Sequence, residues 1–328
     1  MSVRLVSNAA KKSLNLHWLD LRASGLSILE RLSLEEALLR HDDRNWAIVG
    51  THEPWNHKYL SHVPIPDYIG EEPNDQCMIV MGIGGKPDKL LNIPQIERDK
   101  VMVVKRFSGG GTVVLDSQSL WTTFIGRNKD YVPSGVQPYP REIMKWSADT
   151  IFGPTFDKMV KQKKHLGQKK TMAVDIKSCS ATENIGKVTS VASNESSPLL
   201  FGLREHDYVF GEMKMGGNAQ SIVKDGWLHH TSFLWDYDLS NMDYLKLPEK
   251  RPDYRGDRSH GEFLVALHSF FGTSHGPFIS NLRETCQESA HMMERIRLSQ
   301  VMQEVIESKL GGMQSWFEEN RTRILDKL

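Results

Sequence analysis

The chain has 328 residues and a mass of 37.4 kDa, with 41 basic and 41 acidic side chains, a formal charge of zero and a pI near 7.2. That balance excludes a nucleic-acid coat and a polybasic membrane binder. With 39% apolar residues, 25% charged residues and a mean hydropathy of -0.43, it is also not a disordered chain. The length fits one large domain or two modest ones. Cys77, Cys179 and Cys286 are too few and too scattered for a disulfide framework or a zinc site, which points to a reducing compartment. No apolar run approaches the roughly 18 to 20 residues that cross a bilayer, so no membrane span is expected.

In chain order, residues 1–20 carry Arg4, Lys11, Lys12 and three serines (Ser2, Ser7, Ser13), with no acid before Asp20. This is the composition of an organelle transit peptide or of a disordered tail, with a mitochondrial address as the first choice and cytoplasm or plastid as alternatives. Leu26 to Arg40 has apolar residues at helical spacing, with Leu29, Leu34, Ala37 and Leu38 inward and Glu30, Arg31, Glu35, Glu36 and Arg40 for water. Strands are expected at Trp46 to Val49, Cys77 to Gly82 and Lys100 to Arg106. Gly82, Gly84 and Gly85 break the second into a loop, and Gly109 to Gly111 follow the third before a β-type run resumes at Thr112 to Leu115. Strand, glycine loop, strand differs from the strand, loop, helix order of dinucleotide and Walker loops.

A helix is expected from Arg141 to Ile151. Six lysines between Lys158 and Lys170 then fall within 13 residues without an acid, and residues 161–198 read as a polar insertion with no packed core. The absence of interleaved aromatics argues against nucleic acid as its partner. Asp207 to Lys214 alternates like a hairpin turning at Gly211 and Glu212, Trp227 to Trp235 reads as a strand, and Phe263 to Phe271 as a helix. Glu284 to Leu310 reads as one long amphipathic helix stopped by Gly311 and Gly312, followed by a short helix bearing Trp316 and Phe317. Residues 21–283 thus form the main domain and 284–328 a helical tail.

Chemistry concentrates at two glycine segments that each carry a cation. Arg106-Phe-Ser108-Gly109-Gly110-Gly111-Thr112 offers backbone that an anion can approach with no Cβ in the way. Lys214-Met-Gly216-Gly217-Asn-Ala219 is the second, and hairpin pairing places Asp207 near Lys214, as an ordinary ion pair or as a metal ligand beside an electrophilic lysine. His229 and His230 are adjacent on a strand and so face opposite sides, which argues against a shared metal. A pocket of this kind acts by positioning and by fixed positive charge.

Lys105-Arg106-Phe-Ser108-Gly109-Gly110-Gly111-Thr112-Val113-Val114-Leu115-Asp116 resembles the Arg-Arg-x-Ser-Gly-Gly-Gly-x-Val-x-x-Asp signature of lipoate-protein ligases. Lys214-x-Gly216-Gly217-x-Ala219 resembles their Lys-x-Ser-Gly-x-Ala segment, His229-His230-Thr231-Ser232-Phe233-Leu234 their His-His-Gly-Thr-Leu-Leu strand, and Leu32-Ser-Leu-Glu35-Glu36-Ala-Leu38 their first helix. The resemblance covers roughly residues 25 to 240. It implies an α+β fold of the lipoate and biotin ligase type, a twisted mixed β-sheet flanked by helices. It further implies a two-step reaction in which lipoate and ATP, with Mg²⁺, form lipoyl-adenylate, whose acyl group passes to a lysine of a lipoyl domain of a 2-oxoacid dehydrogenase E2 subunit or of glycine-cleavage H protein.

Carried over by position, Lys214 is the catalytic lysine. Arg106, Ser108, Gly109, Gly110, Gly111, Thr112, Asp116, Gly217, Ala219 and His230 border the acyl and nucleotide groups, and Asp207 sits near the metal. Departures from the pattern are Lys105 for arginine, which lacks the bidentate fork, Gly216 for serine, Thr231 for glycine and His206 where bacterial enzymes have asparagine. The chain is expected to lack the C-terminal accessory domain of the longer bacterial ligases, so an accessory protein or a preformed adenylate enters the reading. Two alternatives remain open. One is an octanoyl or lipoyl transferase acting between carrier proteins, for which no cysteine is well placed; the other is a non-catalytic lipoyl-protein binder, which has no need of Lys214. A biotin ligase lacks support, since there is no Gly-Arg-Gly-Arg loop.

Overall fold

The computed structural model describes residues 14–52, 63–70, 73–169, 201–247 and 252–328. Among them a nine-stranded sheet and a four-stranded sheet carry the chain, with helices on their faces, so the fold is α+β as expected. The large sheet runs β12-β1-β2-β7-β11-β10-β9-β8, with β5 on β10. Its strands are β1 (Asn15–Asp20), β2 (Asn45–Thr51), β5 (Gly109–Gly110), β7 (Leu120–Arg127), β8 (Phe201–Arg204), β9 (Asp207–Phe210), β10 (Met213–Val223), β11 (Gly226–Phe233) and β12 (Met292–Ile296). The small sheet runs β13-β4-β3-β6, from β3 (Cys77–Met81), β4 (Met102–Lys105), β6 (Val113–Asp116) and β13 (Arg323–Ile324).

Alternation along the central strands divides the core between the two faces of the large sheet. Ala47, Val49, Leu120, Phe124, Trp227 and Phe233 pack on one face against the helices around residues 140–163 and 276–289. Trp46, Ile48, Trp121, Ile125 and Leu228 pack on the other against helix α1 (Ile28–His41) and the C-terminal segment. Ser27 starts α1 through a reciprocal capping box with Glu30, which satisfies orphan amides of the first turn.

Several expectations are corrected. The stretch 14–20 is not tail: β1 inserts between β2 and β12, and Leu16, Trp18 and Leu19 are buried. Residues 1–13 lie outside the described residues. In α1, every residue from Ile28 to Leu39 is buried, so Glu30, Arg31, Glu35 and Glu36 face protein rather than water. Apolar residues occur all round this helix, the pattern of a helix covered on every side.

Residues 161–169, expected to open the polar insertion, are helical. The helix Gly153–Lys169 runs through its first residues, with Gln162 hydrogen-bonded to Asn281 and Lys158 paired with Glu284 and Glu288; residues 170–200 lie outside the described residues. Phe263 to Phe271 is two short helices, His260–Phe263 and His268–Phe271. Between them the chain joins the sheet side, where the Val265 amide donates to the Lys214 carbonyl at 2.9 Å. The long helix from Glu284 to Leu310 is interrupted: the helix Gly276–Ser289 ends, β12 pairs in parallel with β1, and helical turns resume at Leu298. β1 has an edge whose backbone groups need partners, and the chain leaving Ser289 supplies them. The expected stop holds, with Gly311 and Gly312 at φ 79° and 112°.

Candidate functional site

The two glycine segments, about 100 residues apart in sequence, meet in space. Gly109 and Gly110 form β5 and pair antiparallel with Gln220 and Ala219 of β10. Gly110 has φ +125°, and a Cβ there would lie 2.8 Å from both the Arg106 guanidinium and the Asn218 carbonyl oxygen. Gly82 closes the loop from the other side, since a Cβ on it would come within 2.3 Å of the Gly110 oxygen. The Ile83 amide donates to the Ser108 carbonyl at 3.0 Å.

Lys105 and Arg106 brace these loops rather than standing free. The Lys105 ammonium donates to the Gly85 carbonyl at 3.2 Å, and Arg106 donates to the carbonyls of Gly111 (2.7 Å) and Val80 (3.3 Å). Burial brings the Arg106 guanidinium down to about 10, still well above neutrality. Its Nε, with the hydroxyls of Ser108 and Thr112, is buried without a hydrogen-bond partner among the described residues.

Pairing register lines up one face of the sheet. Asp207 lies opposite Gly217, Gly217 opposite Ser232, Ser232 opposite Trp121 and Trp121 opposite Gly50. Two residues further along β10, Gly110, Ala219, His230 and Thr123 are neighbours. A bulge between Lys214 and Gly216 shifts the register, so Lys214 pairs with Val209 and shares the face of Asp207 and Gly217. Its ammonium sits 2.7 Å from Asp207 Oδ1, and a Cβ on Gly217 would lie 3.7 Å from that nitrogen. The ion pair foreseen from the hairpin is therefore present. The lysine lies over bare backbone, beside the glycine loop.

His230 and His229 face opposite sides, as expected. His230 Nδ1 lies 2.7 Å from Glu35 Oε2 and 3.2 Å from the Thr123 hydroxyl, while its Nε2 is buried and unpartnered among the described residues. Glu35 also accepts from Arg31 (3.0 Å) and from Thr123 (2.8 Å). Burial works to raise the Glu35 carboxyl, but Arg31 and His230 outweigh it and hold it below its ordinary value. For His230 burial dominates and lowers the imidazole despite Glu35. His229 instead joins Tyr208 (3.0 Å) and Gln220 (3.0 Å) in the core.

Asp116 does not join this cluster. Its carboxylate accepts from Ser119, Gln118 and the Asp238 amide and so closes the turn between β6 and β7. Among the described residues no group of three or more His, Cys, Asp or Glu could hold a metal. Asp207 is a single carboxylate, which suits Mg²⁺ held chiefly by nucleotide phosphate oxygens and water and does not amount to a protein cage. Cys77 and Cys286 are buried and free, their thiols raised well above the ordinary range by burial. No described helix is long and apolar enough to cross a membrane.

Sequence reading missed Glu35, Arg31, Gly82 and Tyr254, whose hydroxyl donates to Asp207 Oδ2 at 2.9 Å, as parts of this site. The signal for the first two was the all-round apolar character of α1; for Gly82 it was a second glycine loop with no assigned purpose. Tyr254 carried no local signal.

The geometry defines a class of protein: a mixed-sheet domain in which a lysine and a triple-glycine loop lie side by side on one sheet. Residues 71–276 match the family model of the lipoyl protein ligase A/B catalytic domain, and the chain belongs to that family. It is 27% identical over 282 residues to inactive lipoate–protein ligase 2 of Plasmodium falciparum, covering 80% of this chain and 66% of the relative, so it spans just under two thirds of that protein's length. Among solved structures, lipoate-protein ligase A bound with ATP superposes with a TM-score of 0.55 at 14% identity, covering 94% of this chain and 95% of that one. A putative lipoate protein ligase of T. acidophilum with bound lipoic acid gives 0.54 at 14% identity, with coverage of 94% and 95%. A bi-partite lipoate protein ligase from Thermoplasma acidophilum, studied with its E2 lipoyl domain, gives 0.52 at 14% identity, with coverage of 94% and 93%. At these identities the superpositions establish a shared fold.

Proposed function

We propose that the chain attaches lipoate to a lysine of an acceptor protein through a lipoyl-adenylate, with Lys214 as its catalytic residue. The observation that carries this reading is the Lys214 ammonium, tied to Asp207 and lying over Gly217 beside the loop that Gly109 and Gly110 pin to β10. A cation over bare backbone suits a reacting carboxylate and α-phosphate, since it stabilises the negative charge that develops as they join. Gly217 leaves the backbone beneath the lysine bare, and Glu35 and Phe107 pack against His230 further along the same sheet. In the first step the lipoate carboxylate oxygen bonds to the α-phosphorus of ATP and pyrophosphate leaves. In the second, the acceptor amine takes the acyl carbon and AMP leaves. Mg²⁺ enters as the nucleotide's counter-ion.

The neighbours named with ATP, lipoic acid and an E2 lipoyl domain support these substrates and a lipoyl-domain partner. H protein, an accessory protein and a mitochondrial address are parts of the same proposal. A second reading is favoured by the relative named inactive and by the tethering of Lys105 to Gly85: the chain performs only the transfer, from adenylate made elsewhere.

The test mixes the full chain with ATP, Mg²⁺, lipoate and an apo lipoyl domain, and follows pyrophosphate and the domain's mass. Release of pyrophosphate with a lipoylated domain is expected. Mass gain only from supplied lipoyl-adenylate selects the second reading, and no gain from either donor overturns both. The Lys214→Ala variant is expected to lose about a hundredfold or more in rate, given the usual worth of a charge-stabilising donor, while its melting curve stays within a few degrees of wild type.

A further inference from the structure

Pro252 opens a short turn, Asp253–Arg255, that brings Tyr254 back against β9. The Tyr254 amide donates to Glu205 Oε1 at 3.3 Å, and its carbonyl accepts from the Arg258 guanidinium at 2.6 Å. Its ring packs against Phe263, 5.3 Å between centroids, with the Arg204 guanidinium 5.2 Å from the ring centre. Held in this way, the hydroxyl donates to Asp207 Oδ2 at 2.9 Å, while Asp207 Oδ1 lies 2.7 Å from the Lys214 ammonium. The carboxylate is thus gripped at one oxygen by the phenol and at the other by the lysine.

We propose that Tyr254 is a positioning residue that fixes the Asp207 carboxylate, and through it aims the Lys214 ammonium at the reacting groups. This rests on the role proposed for Lys214 above. The terminal torsion of an aspartate is broad and roughly two-fold, so a carboxylate held at one oxygen only can swing. A swinging carboxylate offers the lysine both oxygens and draws it toward β9. With Oδ2 occupied by the phenol, Asp207 engages one of the three ammonium N–H donors and leaves two for a substrate carboxylate and phosphate. The phenol also shares the carboxylate's charge, which weakens its hold on the lysine. Tyr254 lies 47 residues beyond Asp207 and outside every glycine motif, which is why it becomes visible only in the fold.

The experiment measures binding of a non-hydrolysable lipoyl-sulfamoyl-adenosine by calorimetry, using full-length wild type, Tyr254→Phe, Lys214→Ala and the double variant. The phenylalanine variant keeps the ring packing and loses the hydroxyl alone. It is expected to bind about tenfold more weakly than wild type, the size of one lost hydrogen bond to a charged group, and to cause no further loss in the Lys214→Ala background. Equal losses in both backgrounds, or none in either, overturn the proposal.

Should wild type itself fail to bind this probe, the proposed substrate is wrong, and positioning is then read without ligand. The ¹⁵Nζ ammonium resonance of Lys214, assigned by its absence in Lys214→Ala, is expected to broaden or shift in Tyr254→Phe; an unchanged resonance overturns the proposal. If Tyr254→Phe fails to fold, 3-fluorotyrosine at position 254 changes donor strength alone and carries the same prediction for the resonance.

Discussion

At the scale of single residues, much of this site is decided by what is missing from side chains. Gly82 and Gly110 face each other so closely that neither accepts a methyl group: a Cβ on Gly82 meets the Gly110 oxygen at 2.3 Å, and Gly110 holds a positive φ. Gly82→Ala is therefore expected to destabilise the protein by about 1–3 kcal/mol through overpacking against backbone. It should also weaken nucleotide or adenylate binding, because the triple-glycine loop must move. Gly84 serves as the control, because a Cβ there would meet nothing within 4 Å, and Gly84→Ala should melt like wild type. Thermal unfolding of the pair checks both.

The buried histidines set a pH dependence at the same scale. Burial lowers His229 to about 3, and burial with the nearby Arg31 charge lowers His52 to about 4, against 6.5 for an unfolded imidazole. The unfolded chain therefore binds more protons below pH 6.5, so stability is present above that value and drains away as the pH falls toward the folded values. Each group is worth about 2 kcal/mol between pH 7 and pH 5. His229→Gln, which keeps polar partners for Tyr208 and Gln220, is expected to flatten this slope in urea titrations at the two pH values, even if its stability at pH 7 is lower.

At the scale of elements, α1 is a charged helix turned inward. Arg31, Glu35 and Glu36 are nearly inaccessible, and each has its partner within the fold. Removing one member of a buried pair leaves an uncompensated charge, so Arg31→Met should cost about 3–5 kcal/mol. Glu35→Gln should in addition loosen His230, whose Nδ1 lies 2.7 Å from Glu35 Oε2, and so lower thermal stability. A spacing rule that sends charge to water fails here because the helix is covered by β7 and β11 on one side and by the C-terminal segment on another. Another element misread in sequence, β12, failed for a related reason. Its backbone is extended by an open edge on β1, and no periodicity in Met292 to Ile296 announces a partner 277 positions earlier in the register, Met292 lying opposite Asn15.

At the scale of the whole molecule, the C-terminal segment is a clasp across both sheets. β12 extends the large sheet and β13 the small one. Trp316 is buried and donates to the Ser33 carbonyl at 3.1 Å, the Arg321 amide donates to Glu36 at 3.0 Å, and Thr322 accepts from the Phe107 amide at 3.3 Å. The last contact reaches the residue just before Ser108. Truncation after Gly311 should therefore lower the melting temperature and weaken adenylate binding together. At the other end, a chain beginning at residue 14 keeps β1, whereas one beginning at residue 21 loses it and leaves β12 without its partner. Soluble yield should fall only for the second, and import experiments on the N-terminal segment should use the first.

The sequence by itself determined the local grammar: where strands meet glycine loops, that Asp207 and Lys214 pair across a hairpin, that His229 and His230 part company, and that four motifs in order belong to lipoate-protein ligases. The first three rest on contacts a few residues apart or on composition within one segment, and the last on a resemblance of four ordered motifs. Tertiary structure decided what distant segments do to one another. It brought Gly110 onto Ala219, turned Glu35 toward His230, set Tyr254 beneath Asp207 and passed the tail behind Phe107. Those placements follow from sheet register and from the burial of polar groups that must find partners, and both are properties of the assembled chain rather than of any stretch of it.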